Sequence, residues 1–176
     1  MLLASSLPPL DAAPLIAVPR PIDDILSPKL RHLLSYWDSK REGRALPARR
    51  KLAPEDMVEM LPRVGLIDVI RPPLRFRYRL LGGEIELLAH GLKTGAMLDD
   101  IRSPSYRDND RIHFAAAVDT ARPSVHRIAF ERHGRRTRIE RLVLPLWIED
   151  PSQVAMLLIG IDRPAGLNSF FDSRAA

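Results

Sequence analysis

Apolar residues recur along this chain with two periods, one helical and one extended. Leu30, Leu33, Leu34 and Trp37 fall at i, i+3, i+4 and i+7, a single apolar stripe of an amphipathic helix. Ser27 is placed to cap that helix, Pro28 occupies its first turn, and Gly43 follows as a stop. Pro54-Glu55-Asp56 opens a short helix that must end before Pro62. Period two then takes over. Val64 to Ile70 is rich in β-branched residues, Pro72-Pro73 turns the chain, and Arg75 to Leu81 alternates. Phe76, Tyr78 and Leu80 are expected on one face of that strand, and Arg75, Arg77 and Arg79 on the other.

A short helix over Glu84 to His90 comes next, closed by Gly91, with a loop through Gly95 to Ile101. A longer helix starts at Ser103-Pro104 or Ser105 and runs to about Ala121, before Pro123. Three strands complete the pattern: Val125 to Arg132, Arg136 to Ile148 and Gln153 to Ile161. In the last, Ala155, Leu157, Ile159 and Ile161 alternate with Val154, Met156 and Leu158, so it is apolar on both faces and reads as a covered central strand. The expected architecture is α+β, a five-stranded antiparallel sheet with helices on one face. The other face also needs a cover, and the Leu30–Trp37 helix is the spare amphipathic element. Leu30, Leu33, Leu34 and Trp37 are therefore the expected docking residues, against this sheet or that of a second copy. Residues 1–24 hold five of the sixteen prolines and read as an irregular or disordered arm. Residues 25–48 form the helix and its connection, 49–163 the domain proper, and 164–176 a tail.

Composition narrows the chemistry. The 176 residues carry 27 Lys and Arg against 22 Asp and Glu, a net charge of +5, and no cysteine. Without cysteine there is no disulfide framework, thiol nucleophile, cysteine-ligated metal or cysteine–flavin adduct. A reducing cytoplasm fits that usage. Acids are interleaved with bases even in the densest cluster, Arg132 to Arg141, which argues for a salt-bridged surface over a nucleic-acid face. The longest apolar runs, near Val154–Ile161, are far shorter than a membrane span.

The residues also carry a resemblance. Tyr36-Trp37, Arg41, Gly43, Arg44 and Pro47, then Pro54 and Leu61-Pro62, Tyr78-Arg79-Leu80 and Gly82, Gly91 with Gly95, and Leu144-Pro145-Leu146 resemble the stand-alone bacterial PAS-domain proteins with an N-terminal helix. The resemblance spans about Leu30 to Asp162. Ala53, Gly83 and Lys93 stand where that family is expected to be acidic or threonine-bearing. The resemblance implies a PAS-like five-stranded antiparallel sheet with its helices on one side, to which the reading of the residues adds the N-terminal helix on the other face. It further implies a sensory or regulatory module in signal transduction, a dimerisation unit working as a homodimer through an unidentified signalling protein. The 14 residues after Asp162 show no kinase, cyclase or helix-turn-helix pattern, so output is expected to pass to that partner.

The resemblance also implies that a ligand, as in those PAS domains that bind haem, flavin or small metabolites, would sit between sheet and helices, although many such domains have no known ligand. Here Phe76, Tyr78, Ile128 and Phe130 from the sheet, with Tyr106 and His113 from the long helix, are the candidate lining residues. His113, or His90, is the candidate haem ligand. The plainer reading is that the same side chains fill a core, and the residues favour it. The five histidines show no metal-ligand spacing, Asp99-Asp100 sits in a turn, and Ser103, Ser105 and Ser124 lack a nucleophile motif. No metal site and no catalytic set is expected. The alternatives are a small-molecule enzyme or carrier using the same cavity, and a basic nucleic-acid-binding accessory protein.

Overall fold

The computed structural model describes residues 15–89, 92–132 and 134–172. Among the described residues six antiparallel strands form one sheet, in which three pairs of consecutive strands are neighbours and a long crossover joins the third strand to the fourth. The strands are β1 (Ile16–Arg20), β2 (Val64–Ile70), β3 (Arg75–Leu81), β4 (Ser124–Arg132), β5 (Arg135–Leu146) and β6 (Met156–Asp162), in spatial order β1-β4-β5-β6-β2-β3. Four α-helices accompany them: α1 (Pro28–Ser39), α2 (Gly83–Leu88), α3 (Pro104–Thr120) and α4 (Leu167–Asp172). Among the described residues, no helix is long and apolar enough to cross a membrane.

The doubly apolar final strand is central. β6 pairs with β5 on one side and β2 on the other, and its residues Met156 to Ile161 are all buried. Ile159 and Ile161 face the interior that α3 closes, while Gly160 faces α1. Both faces are thus covered, as the alternation requires.

The helix starts follow local chemistry. The Ser27 hydroxyl accepts from the Leu30 amide at 3.1 Å and the Ser103 hydroxyl from the Tyr106 amide at 3.4 Å, each with proline in the first turn. α1 ends at Ser39, earlier than the glycine signal, and the chain then turns through Glu42 and Gly43, both at positive φ. The segment expected as a short helix after Pro54 is a 3-10 helix over Pro54–Arg63, with non-helical φ and ψ at Met57.

Four expectations are corrected. The sheet has six strands, because residues 16–20 of the expected irregular arm pair with β4, from Ile16 opposite Ala129 to Arg20 opposite Val125. Pro19 fits there because an edge strand leaves one side unpaired. Residues 1–14 of that arm lie outside the described residues. The tail is not featureless: Leu167 and Phe171 of α4 bury against Ala129. β5 stops at Leu146 and β6 starts at Met156, both shorter than their apolar runs. Finally, Leu80 does not share a face with Tyr78. Leu66 pairs with Leu80 but Ile67 with Tyr78, so Arg79 is an extra residue in β3, a bulge that resets the alternation. Leu80 is left 47% exposed while Leu81 is buried.

The free edge of β3 is covered by the loop before α3. The Tyr78 amide donates to the Ala96 carbonyl at 2.9 Å and Arg77 bridges to Met97. An edge shielded in this way does not template strand addition.

Candidate functional site

The interior between sheet and α3 was the expected site, and its polar content comes from residues that periodicity alone passes over. Tyr106, Asp110, His113 and Ala117 lie at i, i+4, i+7 and i+11 on α3. Asp110, in the middle of that stripe, is only 2% exposed. Arg141 lies between Ile139 and Val143 on the inward side of β5 and is equally buried. A carboxylate and a guanidinium buried this deeply need each other and further hydrogen bonds. Both are present. Arg141 Nη1 donates to Asp110 Oδ1 in a short ion pair, and the Tyr78 hydroxyl donates to Asp110 Oδ2 at 2.6 Å. The guanidinium also stacks over the Phe114 ring, 5.4 Å from its centroid.

Arg141 extends the network to the histidines. Its Nη2 lies 2.9 Å from His113 Nδ1. A guanidinium only donates, so His113 Nδ1 accepts and the ring proton sits on Nε2. The His113 ring stacks on His126, with centroids 3.7 Å apart and planes at 21°. Burial, reinforced by Arg141, pushes His113 down to about 4. Burial, Arg141 and His113 together push His126 down to about 2. Burial first, and then the Asp110 charge, raises the Tyr78 hydroxyl well above its ordinary value. At neutral pH the set is therefore one ion pair, one phenol and two neutral imidazoles. Chemically it is a clamp that ties α3 to β3 and β5.

The six residues expected to line a ligand cavity are brought to this region, but they enclose almost no space. Tyr78, Tyr106, Ile128 and Phe130 surround a void of about 20 Å³, shared with Asp110 and Arg141. That volume holds about one water. Phe76 is spent on an edge-to-face contact with Phe114 at 5.5 Å, and His113 on its stack. His113 does not line that void, and because its Nδ1 accepts from Arg141 the ring proton sits on Nε2, the atom through which a histidine holds haem iron. His90 lies outside the described residues. Among the described residues, no three metal-ligating side chains converge.

The outer face carries the second buried ionic site. The Glu140 side chain, 0% exposed, accepts from the backbone amides of Leu26 at 3.0 Å and Ser27 at 2.8 Å. The Ser27 hydroxyl donates to Asp162 at 2.6 Å. These acids sit at the positive end of the α1 dipole. Farther along, Leu30 and Leu33 press onto Gly160, and the Trp37 indole N–H donates to the Pro145 carbonyl at 2.9 Å. Leu30, Leu33 and Trp37 are buried on the sheet of their own chain, whereas Leu34 is half-buried beside an open groove.

Neighbouring acids and bases are used structurally. Asp99 accepts from Arg75 at 2.9 Å and Arg111 at 2.7 Å, and Asp100 caps its own turn at the Met97 amide. Asp68 pairs with Arg77 and Arg79 on the outer face of β3, so those arginines meet an acid, as their position in the strand predicts.

A strand–helix–strand plan of this order, with its leading helix folded onto the sheet, is matched by a family model described as PAS domain over residues 25–161. The chain belongs to the PAS domain family. The match begins just before α1, so that helix is part of the family unit, while β1 and α4 lie outside it. Among curated proteins, none matches the sequence. PAS domains are in general sensory or regulatory modules and commonly mediate protein interactions.

Sequence reasoning missed Asp110, Arg141 and Glu140. The signal was available for two of them. An aspartate on the buried stripe of α3 and an arginine on the buried face of β5 are each costly alone, and each therefore asks for the other.

Proposed function

We propose that this PAS domain is a regulatory module in signal transduction that works by protein–protein contact, as a homodimer acting on a separate signalling protein in the cytoplasm, without turning over a substrate. The observation that carries this reading is the filled interior. Its titratable groups surround about 20 Å³, too little for a metabolite or substrate. Input and output are then left to surfaces. The outer side supports this, because α1 is held by its cap, by Gly160 and by Trp37, yet presents Leu34, Asp38 and Arg41 outward.

The test is sedimentation equilibrium of the full chain from 1 to 100 µM, together with mass spectrometry of the denatured protein. A concentration-dependent dimer that releases no haem, flavin or other non-amphipathic metabolite is the expected result. A strict monomer, or haem, flavin or another non-amphipathic metabolite released in stoichiometric amount, overturns the reading.

A further inference from the structure

Space suited to a small molecule exists elsewhere in the fold, on the outer side. A groove of about 670 Å³ runs between α1 and the corner where α3 turns into β4. Ligand sites occupy roughly 300–1,000 Å³, so this groove is of ligand size where the interior is not. Its body is apolar: Ile22, Leu34, Trp37, Ala121 and Pro123 line it. Trp37 is 3% exposed, its indole N–H donates to Pro145 and the Arg41 guanidinium lies 5.7 Å from its ring centroid, so Ile22, Leu34 and Pro123 supply most of the open apolar wall. The wall also includes Ala121, the left-handed C-cap at the end of α3.

The charges at the groove are unequal. Asp38 is answered by Arg41 at 2.7 Å, and Arg41 also donates to the Arg44 carbonyl at 2.8 Å. Arg122 is exposed and has no ion pair or hydrogen bond among the described residues. One cation is thus left over beside an apolar trough. A guanidinium binds carboxylate or phosphate oxygens through paired N–H donors.

We infer that this groove binds a small amphipathic anion, its apolar body against Leu34, Ile22 and Pro123 and its carboxylate or phosphate head on Arg122. The site stands apart from the interior clamp but shares Leu34, Asp38 and Arg41 with the outward surface of α1, so anion binding and self-association are measured separately.

The test is isothermal titration of the full chain with decanoate, decyl phosphate and decanol. Saturable one-to-one binding of both anions is expected, with decanol at least about tenfold weaker, in keeping with a charge-assisted hydrogen bond. Arg122→Ala, a change at an exposed position, should weaken the anions by a similar factor and leave decanol unchanged. Leu34→Asp should abolish binding of all three, while Tyr78→Phe in the interior should not change it. Absence of saturable binding, equal affinity for decanoate and decanol, or anion binding undiminished by Arg122→Ala overturns the inference. So does a dimer that Leu34→Asp dissociates in a protein that binds no anion, since a second copy would then occupy the groove.

Discussion

Replacing Gly160 with alanine tests whether α1 is seated on β6 as closely as the packing requires. A methyl group there would lie 2.6 Å from Leu33 Cδ2 and 3.1 Å from Leu30 Cδ2. Carbon atoms in contact sit about 3.5–4.0 Å apart, so Leu33 or the helix must retreat by about 1 Å. Overpacking of this kind costs about 1–3 kcal/mol. Loss of glycine's freedom in the unfolded chain returns about 0.4–1 kcal/mol, leaving a net loss of about 1–2 kcal/mol. Leu33→Ala, at a position 1% exposed, should cost about 2–5 kcal/mol through the cavity it leaves. The two changes use the same space from opposite sides. In the Leu33→Ala background the new methyl has room and fills part of the cavity, so Gly160→Ala should become neutral or stabilising there. The double variant should therefore be more stable than the sum of the singles by about 1–2 kcal/mol. Urea unfolding followed by far-ultraviolet circular dichroism measures all four proteins, with unchanged slopes confirming two-state behaviour. Additivity within about 0.5 kcal/mol would show that the methyl and the leucine do not compete, and would refute close docking of α1.

Three further outcomes are expected. Arg141→Met leaves Asp110 buried with Tyr78 as its remaining partner and should cost about 3–5 kcal/mol, whereas Arg141→Met with Asp110→Leu should cost less than the single change; a double variant as unstable as the sum of both singles would contradict the clamp. The folded histidines stay neutral down to about 4 for His113 and about 2 for His126, while the unfolded chain protonates them near 6.5, so stability should be greatest above pH 6.5 and fall on acidification from there. The well-buried His126 should contribute a slope near 1.4 kcal/mol per pH unit and the more solvated His113 a smaller one; His126→Phe should reduce the slope by one proton, and denaturant midpoints that stay level from pH 7.5 to 5.5 would count against burial of neutral rings. A chain starting at Pro21 lacks β1, so amide hydrogen exchange over residues 125–129 should accelerate about tenfold or more, while β6 stays protected; unchanged exchange in β4 would mean that β1 contributes no local stability.

Much of the fold was legible because burial leaves a periodic trace. The stripe Leu30, Leu33, Trp37 and the two apolar faces of β6 fixed a covered sheet before any contact was known. β1 was not legible because its proline-rich stretch looks like a loop, and only the distant edge of β4 makes it a strand. Leu80 was misplaced because a single extra residue, Arg79, shifts the alternation without changing composition. The interior clamp was hidden for a different reason. Asp110 and Arg141 are 31 residues apart, and ionic partners between separate elements leave no period to read. Residue type alone could not separate a lined cavity from a filled core either, since Tyr78, Ile128 and Phe130 serve both; the difference lies in a void of about 20 Å³.

Glu140 and Arg141 are neighbours on β5, and successive side chains of a strand point to opposite faces. One carboxylate grips the start of α1 and the adjacent guanidinium grips the middle of α3. A single peptide unit is thus the axle on which both helices are mounted. A change of twist at that point tilts the two mounts in opposite senses, so neither layer of this sandwich can be re-seated in isolation from the other.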